Sequence, residues 1–469
     1  MYFQQFYLSC LAHASYMIGS EGIAAVVDPQ RDVEIYLEDA QNHGLKIAYI
    51  IETHLHADFV SGHRELAART GAEIHLGARA GAQFPHHDVR DGDELPFGRT
   101  VLRFLETPGH SADSICILVT DLDRAPQPWA VLTGDTLFIG DIGRPDLSPD
   151  HSAEELASML YDSLHAKVMK LPDSVEIYPA HGAGSLCGRN ISPERHSTIG
   201  KERALNYALR PMSRGDFIRL MVTDLPERPA YFYRDKEINR AGAPAVADLP
   251  RLPALSAEEV ANWQSRNAVV LDTRPAAQFG AGHIPGSIHI ALCGQYASWA
   301  GTLLGLETPV VLVAEDAGRA EEARVRLARV GFDKTVGYLH DGVRAWQKAE
   351  LPLEDVPQIS VLQLHERLRE QPDAVQVIDV RRPGEWAPGH LEQAQLKPLH
   401  KLSTVLNDVS PLKPIAVYCR SGYRSSIGTS LLQRAGFRQV MNVVGGLDAW
   451  EAHKLLIVIE EPQAQANRT

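Results

Sequence analysis

The sequence predicts a layered α/β domain in its first half and two copies of a smaller α/β domain in its second. Three observations carry this. Short apolar runs alternate with helical segments up to about residue 240, reactive polar side chains stand where those runs end, and the second half of the chain repeats itself. A length of 469 residues exceeds one hydrophobic core and suits roughly three domains of about 150 residues. The expected divisions are 1–240, 241–355 and 356–469.

Met1 to Leu8 reads as an opening strand and lacks the basic start of a signal peptide, so the expected location is the cytoplasm. Ile23 to Val27 ends in Asp28-Pro29, and Ile47 to Ile51 runs into Thr53-His54. Val131-Leu132-Thr133 runs into Gly134-Asp135, and Tyr178-Pro179 into Ala180-His181. These are buried-strand patterns with polar residues at one sheet edge. Between Pro226 and Pro253 a stretch rich in Pro, Ala and charge, including Asn239-Arg240-Ala241-Gly242-Ala243-Pro244, reads as a linker.

Beyond it, Leu271-Asp272-Thr273-Arg274 with Gly282-His283 is matched by Ile378-Asp379-Val380-Arg381 with Gly389-His390, an offset of 107 from Asp272 to Asp379. Gly331-Phe332 matches Gly436-Phe437, and Gly342-Val343-Arg344-Ala345-Trp346 matches Gly446-Leu447-Asp448-Ala449-Trp450. Repeats of this length are whole compact domains and not solenoid units.

Composition is that of a globular protein, with 44% hydrophobic and 22% charged residues. The longest apolar runs are far too short to span a bilayer, so no membrane association is expected. A net charge of −13 argues against nucleic acid and acidic membrane surfaces as partners. The five cysteines, Cys10, Cys116, Cys187, Cys293 and Cys419, are scattered and form no CxxC pair. Neither a disulfide framework nor a structural zinc site is indicated by that pattern.

Four strand ends bring together His54 and His56, His110, Asp135 and His181. Imidazole and carboxylate without cysteine suit zinc, iron or manganese at an open site. The run Thr53-His54-Leu55-His56-Ala57-Asp58-Phe59 with Gly109-His110, Gly134-Asp135 and His181 resembles the metallo-β-lactamase superfamily. The resemblance implies an αββα sandwich. One position departs from the family's HxHxDH run: Phe59 replaces its last histidine, and a phenyl ring cannot bind metal. A single metal is therefore expected.

More narrowly, the region resembles the persulfide (sulfur) dioxygenases. That resemblance implies one iron(II) per chain held by His54, His110 and Asp135, with open positions for a sulfur anion and O2. It assigns His56, Asp58 and His181 to supporting positions that orient ligands or bound water. Arg144, in Gly143-Arg144-Pro145-Asp146, is implied beside the pocket, either meeting an anionic substrate tail or bracing its loop. Cys187 lies just past His181 and near Arg189 in sequence, a setting that favours a thiolate. It reads either as a sulfur relay or as a small packing residue.

In the last domain Ile415 to Tyr418 reads as a buried strand and Ser426 to Ala435 as a helix, with Cys419-Arg420-Ser421-Gly422-Tyr423-Arg424 between them. Backbone N–H groups turned inward at a helix start stabilise a thiolate or a persulfide terminus. Arg420 and Arg424 are expected to reinforce this. The run resembles the rhodanese active loop, so the chain is read as an αββα sandwich followed by two rhodanese-like α/β domains. Counting back from Cys419 into the first copy lands on Ala314, followed by Glu315 and Asp316. This copy has no nucleophile and is read as a scaffold.

The whole resembles fusion proteins of sulfide metabolism. The implied partners are a small-molecule thiol persulfide, O2, and sulfite or thiosulfate, in a homo-oligomer, dimer or tetramer. Two rivals remain at this point: a zinc-dependent, glyoxalase II-like thioester hydrolase with a rhodanese passenger, and a non-catalytic sulfur carrier or sensor.

Overall fold

The structure is a computed structural model and describes residues 1–148, 150–223, 225, 227–305 and 307–460. Pro226, where the expected linker begins, and residues 461–469 of the last expected domain lie outside the described residues. The chain divides into two compact units, Met1–Pro250 with Val325–Asp333, and Arg251–Arg324 with Lys334–Thr469. No helix among the described residues is long and apolar enough to cross a membrane.

The first unit is built on two six-stranded sheets. One runs Tyr2–Leu8, His13–Ser20, Ile23–Val27, Lys46–Ile51, Glu73–Gly77, His87–Val89. The other runs Ser197–Thr198, Glu176–Pro179, Ala130–Gly134, Ile115–Asp121, Thr100–Glu106, Glu94–Phe97. Both faces of the central strands are buried, which explains their unbroken apolar runs. Neighbouring side chains alternate between layers, as the two-residue strand period requires. Val27 and Ile51 enter the core between the sheets with Phe104, Ile117 and Leu132. Val26 and Ile50 face outward into a core with Tyr36 and Leu66 of the helices Glu34–Asn42 and His63–Thr70. On the other sheet Val131 and Ile177 pack with Leu156-neighbouring Ala157 and Leu160 of helix Ala153–Asp162 and with Phe217 of helix Arg214–Val222. The result is helix, sheet, sheet, helix.

The linker reading is corrected in one respect. Tyr231–Ala241 is a helix, and Asn239 in it is buried. The Asn239 amide donates to the carbonyls of His56 and Phe59, each at 2.8 Å, and accepts from the Ser61 N–H at 2.8 Å. One side chain thus satisfies three backbone groups of the histidine loop, groups that would otherwise be buried without partners. The Pro, Ala and charge content concealed the helix because beyond Tyr231 and Phe232 its buried positions are polar: Asp235, Lys236 and Asn239.

The second unit contains two five-stranded parallel sheets of identical order. The first is Ala254–Leu255, Thr335–Leu339, Val310–Val313, Val269–Asp272, Ile288–His289. The second is Gln358–Ile359, Val440–Val443, Ile415–Tyr418, Gln376–Asp379, Ala394–Leu396. The repeated motifs have a shared physical purpose. Arg274 pairs with Asp272 at 2.6 Å and donates to the Gly282 carbonyl, and Arg381 does the same with Asp379 at 2.6 Å and Gly389. Each pair is buried, so the charge needs both partners at fixed positions. The Trp346 and Trp450 indoles donate to the carbonyls of Pro352 and Leu456, six residues on.

Asn239→Ala removes three hydrogen bonds and leaves buried backbone groups unpaired, at an expected cost of about 2–3 kcal/mol. For a domain of this size that lowers the midpoint of thermal unfolding by roughly 4–10 °C. A shift under about 2 °C would show that the helix does not brace the loop.

Candidate functional site

The loop after strand Lys46–Ile51 carries His54, His56 and Asp58, and is fixed from below by Asp28. Asp28 has a positive φ of 51°. Its carboxylate accepts from the Thr53 N–H at 2.7 Å and the Thr53 hydroxyl at 2.9 Å, and that hydroxyl lies 3.1 Å from His54 Nδ1. Asp113 holds the other side, accepting from the Leu55 N–H at 2.7 Å. Gly143 is required for space: a Cβ there would lie 2.0 Å from the Asp135 carbonyl oxygen and 2.9 Å from His110 Nδ1.

His54, His110 and Asp135 are brought together with ligand atoms within 4.8 Å of one another, all buried. His110 Nε2 is 3.3 Å and His54 Nε2 4.0 Å from Asp135 Oδ2. Burial pushes His54 and His110 well below the usual imidazole range, so both are neutral with a lone pair to give. Burial also pushes the Asp135 carboxyl up to about 6, a shift that a bound cation reverses. His54 Nε2 and both Asp135 oxygens are buried without a hydrogen-bond partner. Orphaned acceptors of this kind are costly, and a divalent metal satisfies them together; these residues fit one.

His56 is different. Its Nε2 lies 3.1 Å from Asp28 Oδ1 and 3.2 Å from Glu52 Oε2. Burial alone would lower it, but the two carboxylates hold it well above the usual imidazole range. Glu52 in turn meets His63 at 3.2 Å and the Ser61 hydroxyl at 2.6 Å. Despite burial, the contacts with His56 and His63 lower Glu52 to about 2. His56, Asp58 and His181 also converge within 4.8 Å, and a second metal there would have to displace the proton that Asp28 and Glu52 favour on His56. The buried Phe59 ring stands 4.4 Å from the His56 ring and 4.1 Å from that of His13. His181 Nε2 lies 3.3 Å from Asp58 and 3.6 Å from Asp135, tying the supporting residues to the ligand carboxylate.

Of the two readings of Arg144 the contacts favour bracing, and the thiolate expectation for Cys187 changes. Arg144 is buried and clamped to Asp146 at 2.7 and 2.9 Å, and its backbone N–H donates to the Cys187 carbonyl, so it braces the loop. The Cys187 thiol is pushed well up by burial and then by Asp58 and Asp135. Arg189 does not help it, because its guanidinium donates to the carbonyls of Met221 and Thr223. Cys187 is therefore a protonated thiol beside Asp135 and not a thiolate.

In the second unit Cys419 follows strand Ile415–Tyr418 and is 1% exposed. The Gly422 N–H donates to its sulfur at 3.2 Å, and the Ser425 hydroxyl oxygen is 3.6 Å away. Gly422 reaches this position with φ 101°, which favours glycine. The arginines arrive already paired. Arg424 makes a two-pronged pair with Glu385 at 2.6 Å, and Arg420 meets Asp448 at 2.5 Å and Glu451 at 3.0 Å. The backbone group bonded to the sulfur is the Gly422 N–H. In the first copy Ala314 occupies the same place after strand Val310–Val313, and the helix starts at Ala317, giving a loop one residue shorter.

The sequence pattern does not single out Glu52, His63 or Asn239, nor Glu385, Asp448 and Glu451. Asp28 is visible only as a strand-end Asp-Pro. Their partners come from distant segments, and no spacing rule encodes that.

A family model described as the metallo-beta-lactamase superfamily matches residues 8–181, and one described as the rhodanese-like domain matches 256–349 and 360–453. Persulfide dioxygenase ETHE1, mitochondrial, from Homo sapiens is 33% identical over 202 residues, 42% of this chain and 70% of that protein. A hydroxyacylglutathione hydrolase of Francisella philomiragia is 31% identical over 172 residues, 36% of this chain and 63% of that protein. A metallo-beta-lactamase crystal structure from Staphylococcus aureus subsp. aureus COL aligns with TM-score 0.65 and 32% identity, covering 72% of this chain and 98% of that one.

Asp28→Asn weakens both the hold on the Thr53-His54 turn and the pair with His56. Metal affinity, measured by competition with a chelator, is expected to fall roughly 10–100-fold. Unchanged affinity would mean that Asp28 does not orient the ligand.

Proposed function

Because the chain belongs to the metallo-β-lactamase superfamily, with persulfide dioxygenase homologues, and carries two rhodanese-like domains, we propose that it is an iron(II)-dependent persulfide dioxygenase joined to a sulfurtransferase. The observation that supports this most directly is one buried set of two imidazoles and a carboxylate, His54, His110 and Asp135, beside a histidine, His56, that lies 3.1 and 3.2 Å from two carboxylates. Two imidazoles and one carboxylate with open positions suit non-haem iron oxygenation. The overall reaction is RSSH + O2 + H2O giving RSH, hydrogen sulfite and a proton.

Bound iron(II) would supply the activation of O2 and a binding position for the sulfur anion. The chain's own contribution is positional. His54 and His110 present lone pairs, Asp135 adds the one negative charge, and Asp28 with Thr53 fixes the ring of His54. The Cys187 sulfur lies within 4.8 Å of Asp135 and His181 and packs against the ligand carboxylate. The pair of His56 with Asp28 and Glu52 fixes the loop below. A two-zinc thioester hydrolase would need His56 as a donor, and those carboxylates oppose it.

In the second unit the Cys419 thiolate attacks the outer sulfur of a persulfide. A Cys419 S–S bond forms, the donor S–S bond breaks, and the donor leaves as thiolate. Gly422 N–H stabilises the charge on sulfur. Sulfite then attacks the outer sulfur, releasing thiosulfate and the Cys419 thiolate; the same steps reversed load Cys419 from thiosulfate.

Asp135→Ala is expected to lose metal and reduce persulfide-dependent O2 uptake at least roughly 100-fold, while thiosulfate sulfurtransferase activity stays within about twofold. Cys419→Ser should give the opposite result, abolishing sulfur transfer and sparing O2 uptake. Retained O2 uptake in Asp135→Ala would refute the ligand set, and joint loss in both variants would refute two separable sites.

A further inference from the structure

We propose that the first rhodanese-like copy, which has no cysteine to carry sulfur, binds an amino-acid-type zwitterion in a cavity over its degenerate loop. The cavity measures about 610 Å3 and is lined by Ala314, Glu315, Asp316, Asp341, Arg344 and Lys348, among others. That volume is in the range of small-molecule sites. Neither the metal centre nor Cys419 contributes to it.

The two copies differ here in an informative way. In the active copy the helix Gly446–Ala452 closes on the cysteine loop. The N–H groups of Leu447 and Asp448 donate to the carbonyls of Cys419 and Arg420, and Arg420 pairs with Asp448 and Glu451. In the first copy the charges are exchanged: Glu315 takes the place of Arg420, and Arg344 that of Asp448. Opposite signs are kept, yet the pair does not close. Glu315 instead accepts from Gln278 at 2.9 Å and lies 3.8 Å from Arg319. Arg344 and Lys348 make no hydrogen bond or ion pair among the described residues.

Arg344 and Lys348 stand one turn apart on helix Gly342–Lys348, a like-charged spacing that disfavours the helix unless an anion lies between or before them. Glu315 and Asp316 present negative charge to the same space. A simple anion would be repelled by these carboxylates, and a simple cation by the two basic side chains. A ligand with an ammonium at one end and a carboxylate at the other meets both walls. Ala314, where the active copy has its nucleophile, leaves only reversible binding. Because the charges are exposed and screened, affinity should be modest, with a dissociation constant near or below the millimolar range.

The test uses the full chain with Cys419→Ala, to prevent sulfur exchange, and S-methylglutathione as probe in equilibrium dialysis. One saturable site per chain is expected. Binding should weaken at least about fivefold in Arg344→Ala/Lys348→Ala, and equally when the probe's amine is acetylated. Amide hydrogen exchange on the otherwise unmutated chain should show the probe protecting residues 314–318 and 340–344. No saturable binding up to about 10 mM, binding indifferent to both changes, or protection confined to other segments would overturn the proposal.

Discussion

The account depends on how three buried histidines divide between two charge states. Burying an imidazole nitrogen without a partner is unfavourable, and His54 and His110 are held that way, pushed towards the neutral form by burial, while His56 stands 3.1 Å from Asp28 and 3.2 Å from Glu52, which push it towards the cation. The same desolvation acts on all of them; the nearby carboxylates decide the outcome. A neutral, orphaned pair beside a carboxylate is a metal site, and a paired cation is a structural tie. Asp28 serves both, since its oxygens also fix Thr53 and through it His54.

This division explains why a scaffold shared with hydrolases can suit a single metal. Phe59 offers no donor, and the carboxylates beside His56 favour its protonated form, so the two features act in the same direction. The loop that carries them is held from the far side by Asn239. Rigidity at that point matters because a ligand ring displaced by about an ångström no longer shares a metal with its neighbours.

Much of this was legible in the sequence. Polar residues at the ends of apolar runs located His54, His110, Asp135 and His181, because parallel strands place their ends at one edge. The Asp-x-Arg and Gly-His repeats located the paired domains, because each encodes a local buried ion pair or ring stack. What the sequence hid were partners brought in from afar. The helix holding Asn239 reads as a linker because, after Tyr231 and Phe232, its buried positions are the polar Asp235, Lys236 and Asn239, which leave no apolar periodicity. Arg420 and Arg424 read as groups that reinforce a thiolate, and Arg144 as either an anion contact or a brace, whereas the fold gives each a carboxylate. Charge near a cysteine is therefore a weaker sign than the turn before the helix, where the Gly422 N–H reaches the sulfur.

The most direct measurement of the central claim is the metal content of the full chain purified without oxygen, determined by elemental analysis of iron and zinc together. The account predicts about one iron per chain, with zinc well below that level. Close to two zinc per chain at full occupancy would contradict it, since His56 would then have to surrender its proton and serve as a ligand.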